Sequence, residues 1–403
     1  MKFSKLSQLF LVSSIGLLVA TLLTACQLVT VDYVFVTNSA GSGTTGDGQI
    51  ETYAVDGESG ALRKGAPAVS CGGVNPIAMA VTPDYSNLYV ANRGDDTVVH
   101  FAVASNGVLT SKDTITLSTP PASLAVNAAG NALYVVSGST SATLTVYTLS
   151  SGTIGSAAAQ VNLAIPGYTS DSIVPTGVTV LDNNNAVYVT LYDESAYNPG
   201  GAVTSTANPG WVFGFAIGSG GALTATNGSP YRAGVKPVAL AADPTSRFVY
   251  VTDFASNELI GYGVDTGGVL NFLINGPFKT GNEPDSVAID PRGKYIYVAN
   301  GLDSSVSAYV IDLPTGTPSA AVNTSGATTN ATDTQPVSVA VEPAIGRYVY
   351  TANFLGNSLS GFRLNPNTGT ITLTQATPYP TGSKPTAVAI VPHGQHSIQS
   401  VTP

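Results

Sequence analysis

Seven prolines open short apolar runs along this chain, and four of the residues flanking them, Lys236, Glu283, Asp285 and Lys384, could do ionic or acid–base chemistry. Those before the prolines are Asn75, Pro120, Val174, Lys236, Glu283, Gln335 and Lys384; those after are Ile77, Ala122, Thr176, Val238, Asp285, Val337 and Thr386. Glu283 and Asp285 flank one proline, and either could serve as a general base. Lys236, Lys384 and Arg93 could hold an anionic substrate. Asn75 and Gln335 add neutral polar groups to the same ring. Three approach loops share a pattern: Tyr231 to Lys236, Phe278 to Glu283 and Tyr379 to Lys384. Each presents an aromatic residue, a Gly that eases a tight turn, and a charge. The aromatics are expected to pack under the loop and the charges to face a ligand. A solvated rim would have the same composition.

A second concentration of polar side chains lies between Leu191 and Trp211, with Tyr192, Asp193, Glu194 and Tyr197 ahead of the single Trp. The equivalent turn elsewhere is short, as in Asn92 to Asp96. Loops longer than about 12–15 residues in a compact domain tend to be functional or disordered. This one is expected to project over the same face, as a lid, a partner-binding surface or a harmless insertion.

Other chemistries are missing from the pattern. No His/Cys metal spacing, EF-hand loop, phosphate loop or nucleophile elbow is present, and no cofactor is expected. Cys71, in Val69-Ser70-Cys71-Gly72-Gly73, has no His nearby and is expected to be a small packed residue. Of three His, His100 sits among alternating apolar neighbours, while His393 and His396 fall in a tail, 393–403, expected to be flexible. The net charge of −9, with 15 Lys+Arg against 24 Asp+Glu, and the absence of a basic run after residue 5 argue against nucleic acid. The expected partner is a glycan, peptide, protein or small anionic ligand, bound by a monomer.

The elements that position these groups follow from a repeat. The Pro-led runs are Pro76 to Val81, Pro121 to Val126, Pro175 to Val180, Pro237 to Ala242, Pro284 to Ile289, Pro336 to Val341 and Pro385 to Ile390, spaced 45 to 62 residues apart. That spacing matches propeller blades of four strands. Second strands end at Asn38, Asn92, Ser137, Leu191, Asp253, Asn300 and Asn353. A Gly turn follows at Gly60, Gly107, Gly152, Gly221, Gly268, Gly316 and Gly369. In each Pro-led run the second and fourth residues after Pro are small and the third is larger, as in Ala78, Met79 and Ala80. A period of two puts these on opposite faces, which suits strands crowded around an axis. The first second strand precedes any Pro-led run, and the last Pro-led run has no second strand after it. The C-terminal strand must therefore complete the N-terminal blade, leaving no open edge. The fold read from this is all-β: a seven-bladed propeller of four-stranded blades over 32–392.

The first 25 residues read as an export signal. Lys2 and Lys5 precede an apolar stretch from Leu9 to Leu23, which ends in Leu23-Thr24-Ala25-Cys26. The stretch is short for a membrane span. Cys26 is expected to be lipidated and joined to the domain by a linker, 26–31. Gln27 after it favours the outer membrane, so the domain is expected to lie outside the cytoplasm and to touch the membrane only through the anchor.

The repeated Tyr-Val-(Thr/Ala)-Asn ending, together with Asp243-Pro244, Asp290-Pro291 and Glu342-Pro343 after the inner strands, resembles the lactonase-like seven-bladed propellers. The likeness covers Asp32 to Pro392. It implies either of two roles: a binding module using the channel-mouth loops, or a lactonase-type hydrolase or isomerase of the 6-phosphogluconolactonase kind acting on a small anionic lactone. The family's enzymes carry His beside a strand-starting Pro, with Arg and Glu nearby. Here no residue flanking the seven prolines is His. An enzyme would need a titratable group with a perturbed pKa beside a pocket, whereas a channel plugged by apolar side chains would exclude that role.

Overall fold

Runs of Val, Ile, Tyr and Thr, broken every few residues by Gly, Asn, Asp and Pro, fold as short antiparallel strands because β-branched and aromatic side chains suit a pleated, half-buried surface. A computed structural model describes residues 29–40, 46–165, 172–195 and 209–403. Residues 1–28, which include Cys26 and all of the expected export signal, and Tyr197 lie outside the described residues. Seven antiparallel sheets form among the described residues, and helix is limited to two short 3-10 turns. No described helix is long and apolar enough to cross a membrane.

Blade 2 shows the plan, with strands Pro76–Val81, Asn87–Asn92, Thr97–Val103 and Leu109–Thr116 from the axis outward. Blades 3 to 7 have inner strands Pro121–Val126, Ile173–Val180, Pro237–Ala242, Pro284–Ile289 and Pro336–Val341; the Pro-led strand is innermost in every blade, and the second strand is almost entirely buried. In five blades the approach loop adds a short strand against the third strand; Tyr231–Arg232, Phe278–Lys279 and Tyr379–Pro380 are three of these. Blade 1 is built from both ends of the chain: Ser383–Pro392 is its inner strand and pairs antiparallel with Thr30–Ala40, Val34 opposite Ile390. The ring is closed by the C-terminal strand.

The Tyr of the repeated ending joins blades. Tyr89, Tyr188, Tyr250, Tyr297 and Tyr350 donate through their hydroxyls to the carbonyls of Gly152, Gly268, Gly316, Gly369 and Gly60, each on the next blade, at 2.5–2.9 Å. The Asn or Asp ending the strand caps local backbone and hydroxyl groups: Asn300 and Asn353 each donate to two Ser of the third strand. Asp243, Asp290 and Glu342, at the far end of the inner strands, accept amide N–H groups of the turns that follow. The shared motif residues are therefore structural.

The tail departs from its expected flexibility. Gly394–Ile398 forms a 3-10 turn against blade 1, with His396 buried. The reason is a buried partner: His396 Nδ1 lies 2.6 Å from Asp32 Oδ1.

Candidate functional site at the channel mouth

Every inner strand carries a bulge where it starts. The pairing register skips the residue after Pro in all seven blades, for example between Pro284 and Ser286. A bulge re-aims the side chain of the unpaired residue. The skipped residues, Ile77, Ala122, Thr176, Val238, Asp285, Val337 and Thr386, line the mouth of an axial cavity of about 280 Å³ bounded by all seven inner strands. Six are apolar or Thr. Thr176 and Thr386 spend their hydroxyls on the carbonyls of Pro237 and Pro76 in the adjoining blade, at 2.8 and 2.7 Å. Asp285 is the single charged residue of this ring.

The carboxyl of Asp285 is accommodated by a glycine. A Cβ on Gly301 would come within 2.3 Å of Asp285 Oδ2, so no other residue fits there without a shift. Burial, and next the nearby charge of Glu283, push the Asp285 pKa up to about 7, against the opposing pull of Lys236. Burial in turn lowers the Lys236 pKa, while Asp285, Glu283 and Glu194 hold it up. A carboxyl poised near neutrality beside an ammonium group can accept a proton from water or a hydroxyl at physiological pH.

Lys236 is held by its own loop. Asp253 accepts the amides of Val235 and Lys236 at 2.8 and 2.9 Å. Gly234 has φ +75°, and a Cβ there would lie 2.0 Å from Asp253 Oδ2, so both conformation and space require glycine. The ammonium group stands 4.2 Å from the Phe254 ring centroid and 5.6 Å from that of Tyr192. Lys384, exposed, stands 5.8 Å from the Phe354 ring. Tyr192, Phe254 and Phe354 occupy one repeat position, the residue after the second-strand ending. At that position Phe254 and Phe354 donate their amides to the carbonyls of Lys236 and Gln335.

The mouth thus joins Lys236, Glu283, Asp285, Glu194 and Tyr192, from blades 4, 5 and 6. Asn75, Glu283, Gln335 and Lys384 share a left-handed backbone, φ +54° to +57°, just before the bulge. Arg93 donates its amide to the Asn75 carbonyl in blade 2. Asp193 is buried and accepts the amide and hydroxyl of Ser195 at 2.9 and 2.7 Å, acting as a turn cap. Trp211 lies on the third strand of blade 4 with the Arg232 guanidinium 4.1 Å from its ring. Sequence reasoning missed Phe254, Phe354 and Gly301; their signal was position, one residue past the strand-ending Asp or Asn.

Two other groups are set apart from this chemistry. Cys71 is fully buried, its thiol donates to the Gly73 carbonyl at 3.0 Å, and burial pushes its pKa up to about 11. His100 is buried in the third strand of blade 2, bonded to Asp113 and Asn87 and stacked on Tyr89.

Fold and mouth together define a seven-bladed propeller with an axial polar site. A family model described as "Lactonase, 7-bladed beta-propeller" matches residues 47–169 and 202–400, and the chain belongs to that family. The unmatched 170–201 include the start of the long blade 4 loop. No curated protein matches the chain. Among solved structures, it is similar to a putative 6-phosphogluconolactonase from Bacteroides fragilis, at 19% identity and TM-score 0.70 over 90% of this chain and 98% of that one. It is also similar to a periplasmic gluconolactonase from Pseudomonas aeruginosa, at 17% identity and TM-score 0.73 over 90% and 99%. A putative 6-phosphogluconolactonase from Bacteroides uniformis gives 18% and 0.71 over 90% and 99%. At these identities the likeness carries the fold.

Proposed function

We propose that the protein is an exported, lipid-anchored lactone hydrolase whose site is the channel mouth. The observation that carries this reading is Asp285, a lone carboxyl on the bulge ring with a pKa near 7, set beside Lys236. In the proposed reaction Asp285 takes a proton from a water molecule as the water oxygen bonds to the lactone carbonyl carbon. The ring C–O bond then breaks, and the proton passes to the leaving alkoxide to give a hydroxy acid. Lys236 holds an anionic group or the developing oxyanion. Phe254, Tyr192 and Phe354 offer flat apolar walls to a sugar-like ring. The names carried by the structural relatives, gluconolactonase and 6-phosphogluconolactonase, support the same substrate class. The missing His of the family pattern is met by a different base.

A binding module at the same mouth is the second reading; it needs the aromatic walls and Lys236 but no base. Turnover of a panel of sugar lactones, with Asp285→Asn as the control, separates the two. A hydrolase loses at least about 100-fold in kcat with this variant, the usual scale for removing a general base. Saturable ligand binding without turnover would leave the module. The lipid anchor is tested separately: labelled fatty acid should enter the wild-type chain and not Cys26→Ala.

A further inference from the structure

The strongest cluster of ligating side chains outside the mouth lies at the opposite end of the inner strands, at the seam of the ring. Asp32 is on the second strand of blade 1, Glu342 follows the inner strand of blade 7, and His396 comes from the 3-10 turn after the closing strand. One donor atom of each lies within 4.8 Å of the other two. Asp32 and Glu342 are 0% exposed and His396 5%. His396 Nδ1 is 2.6 Å from Asp32 Oδ1 and 3.2 Å from the Val31 carbonyl. The other side of the cluster is not satisfied. Asp32 Oδ2 and His396 Nε2 have no hydrogen-bond partner among the described residues, and Nε2 is 3.8 Å from Glu342 Oε2, beyond a hydrogen bond. Buried polar atoms left unpaired are costly and rare.

We propose that Asp32, Glu342 and His396 form a clasp for one divalent transition-metal ion, of the zinc class, that ties the C-terminal turn to the first and last blades. The Val31 carbonyl, 3.2 Å from Nδ1, fixes the imidazole tautomer and leaves Nε2 to donate its lone pair, so that the Asp32 carboxylate is free to turn from Nδ1 to the ion. Two carboxylates match the double charge, which removes the cost of burying like charges together. A mixed nitrogen and oxygen donor set suits zinc, whereas calcium and magnesium prefer oxygen alone. The site lies across the molecule from the channel mouth, so it is independent of the proposed hydrolysis.

The test uses the purified full chain, stripped with chelator and dialysed against micromolar zinc. Elemental analysis should find about one zinc per chain, and zinc should raise Tm by about 3 °C. Cobalt in its place should give visible d–d absorption. His396→Gln and Asp32→Asn should lose the metal and the Tm response, while His393→Gln and His100→Gln keep both. Wild-type chain that retains no zinc and shows no Tm response overturns the proposal, and a bound water then satisfies the cluster. Equal retention in His396→Gln, or an equal Tm response to calcium, overturns it as well.

Discussion

Asp285 is the charged member of an otherwise uncharged ring, and its behaviour can be tested without knowing the substrate. Its carboxyl is held protonated up to about pH 7 in the folded chain, against an ordinary aspartate value of about 3.8. A raised acid is more costly to ionise in the folded than in the unfolded state. Stability therefore falls as pH rises from about 4 to 7 and levels off above. Asp285→Asn is expected to raise Tm at pH 8 by about 2 °C and to leave it unchanged at pH 4, read by thermal melts at both values. Activity should have the opposite slope, because the base must be ionised: kcat/KM should climb through pH 7. Lys236 pulls the Asp285 pKa down, so Lys236→Met should move that midpoint upward. It should also weaken an anionic substrate by about 10-fold or more in KM, the scale of one lost charged contact. A pH profile of the variant superimposing on that of the wild type would remove Lys236 from the site.

At the level of the strand, the Tyr of the repeated ending is a cross-blade tie, and the ring tolerates its occasional loss. Phe35 stands at that position in blade 1 and is fully buried without a hydroxyl. Where the hydroxyl is present it satisfies a buried carbonyl, and removing it leaves that carbonyl unpaired. Tyr297→Phe, which frees the Gly369 carbonyl, is expected to cost about 1–2 kcal/mol. Chemical denaturation should show this as a lower midpoint with an unchanged slope. The inner-strand bulge is the other element-scale device. It lets one repeat position vary from Ile to Asp at the axis without disturbing pairing, because the skipped residue contributes no ladder bond.

The whole molecule depends on its closure. Thr30–Ala40 pairs with Ser383–Pro392 along eight residues, and without that partner it would present a long apolar edge. A chain ending at Gly382 is expected to aggregate or lose its cooperative melt, seen by size exclusion and calorimetry. A chain ending at Pro392 keeps the closing strand and should remain a folded monomer. The contrast separates the strand from the turn that follows it.

Much of this architecture is local and was legible in the chain itself. Alternation of small and large residues after each Pro, the Asn or Asp at strand ends and the Gly turns depend on neighbours a few residues apart, so they revealed seven blades, their order and the shared seam. Lys236, Glu283 and Asp285 were marked by their place beside a proline. Their different roles were not, because a carboxyl's pKa depends on burial and on charges from other blades. The bulge turned Asp285 to the axis, and Gly301 made room for it. Phe254 and Phe354 meet Lys236 and Lys384 only because the turn after each second strand folds back beside the residue before a proline. Asp193 is buried and caps the turn at Ser195, a role that its place in the sequence did not mark. The clearest case is His396: it lies 364 residues from Asp32, and only closure of the ring puts the two in hydrogen-bonding contact beside Glu342.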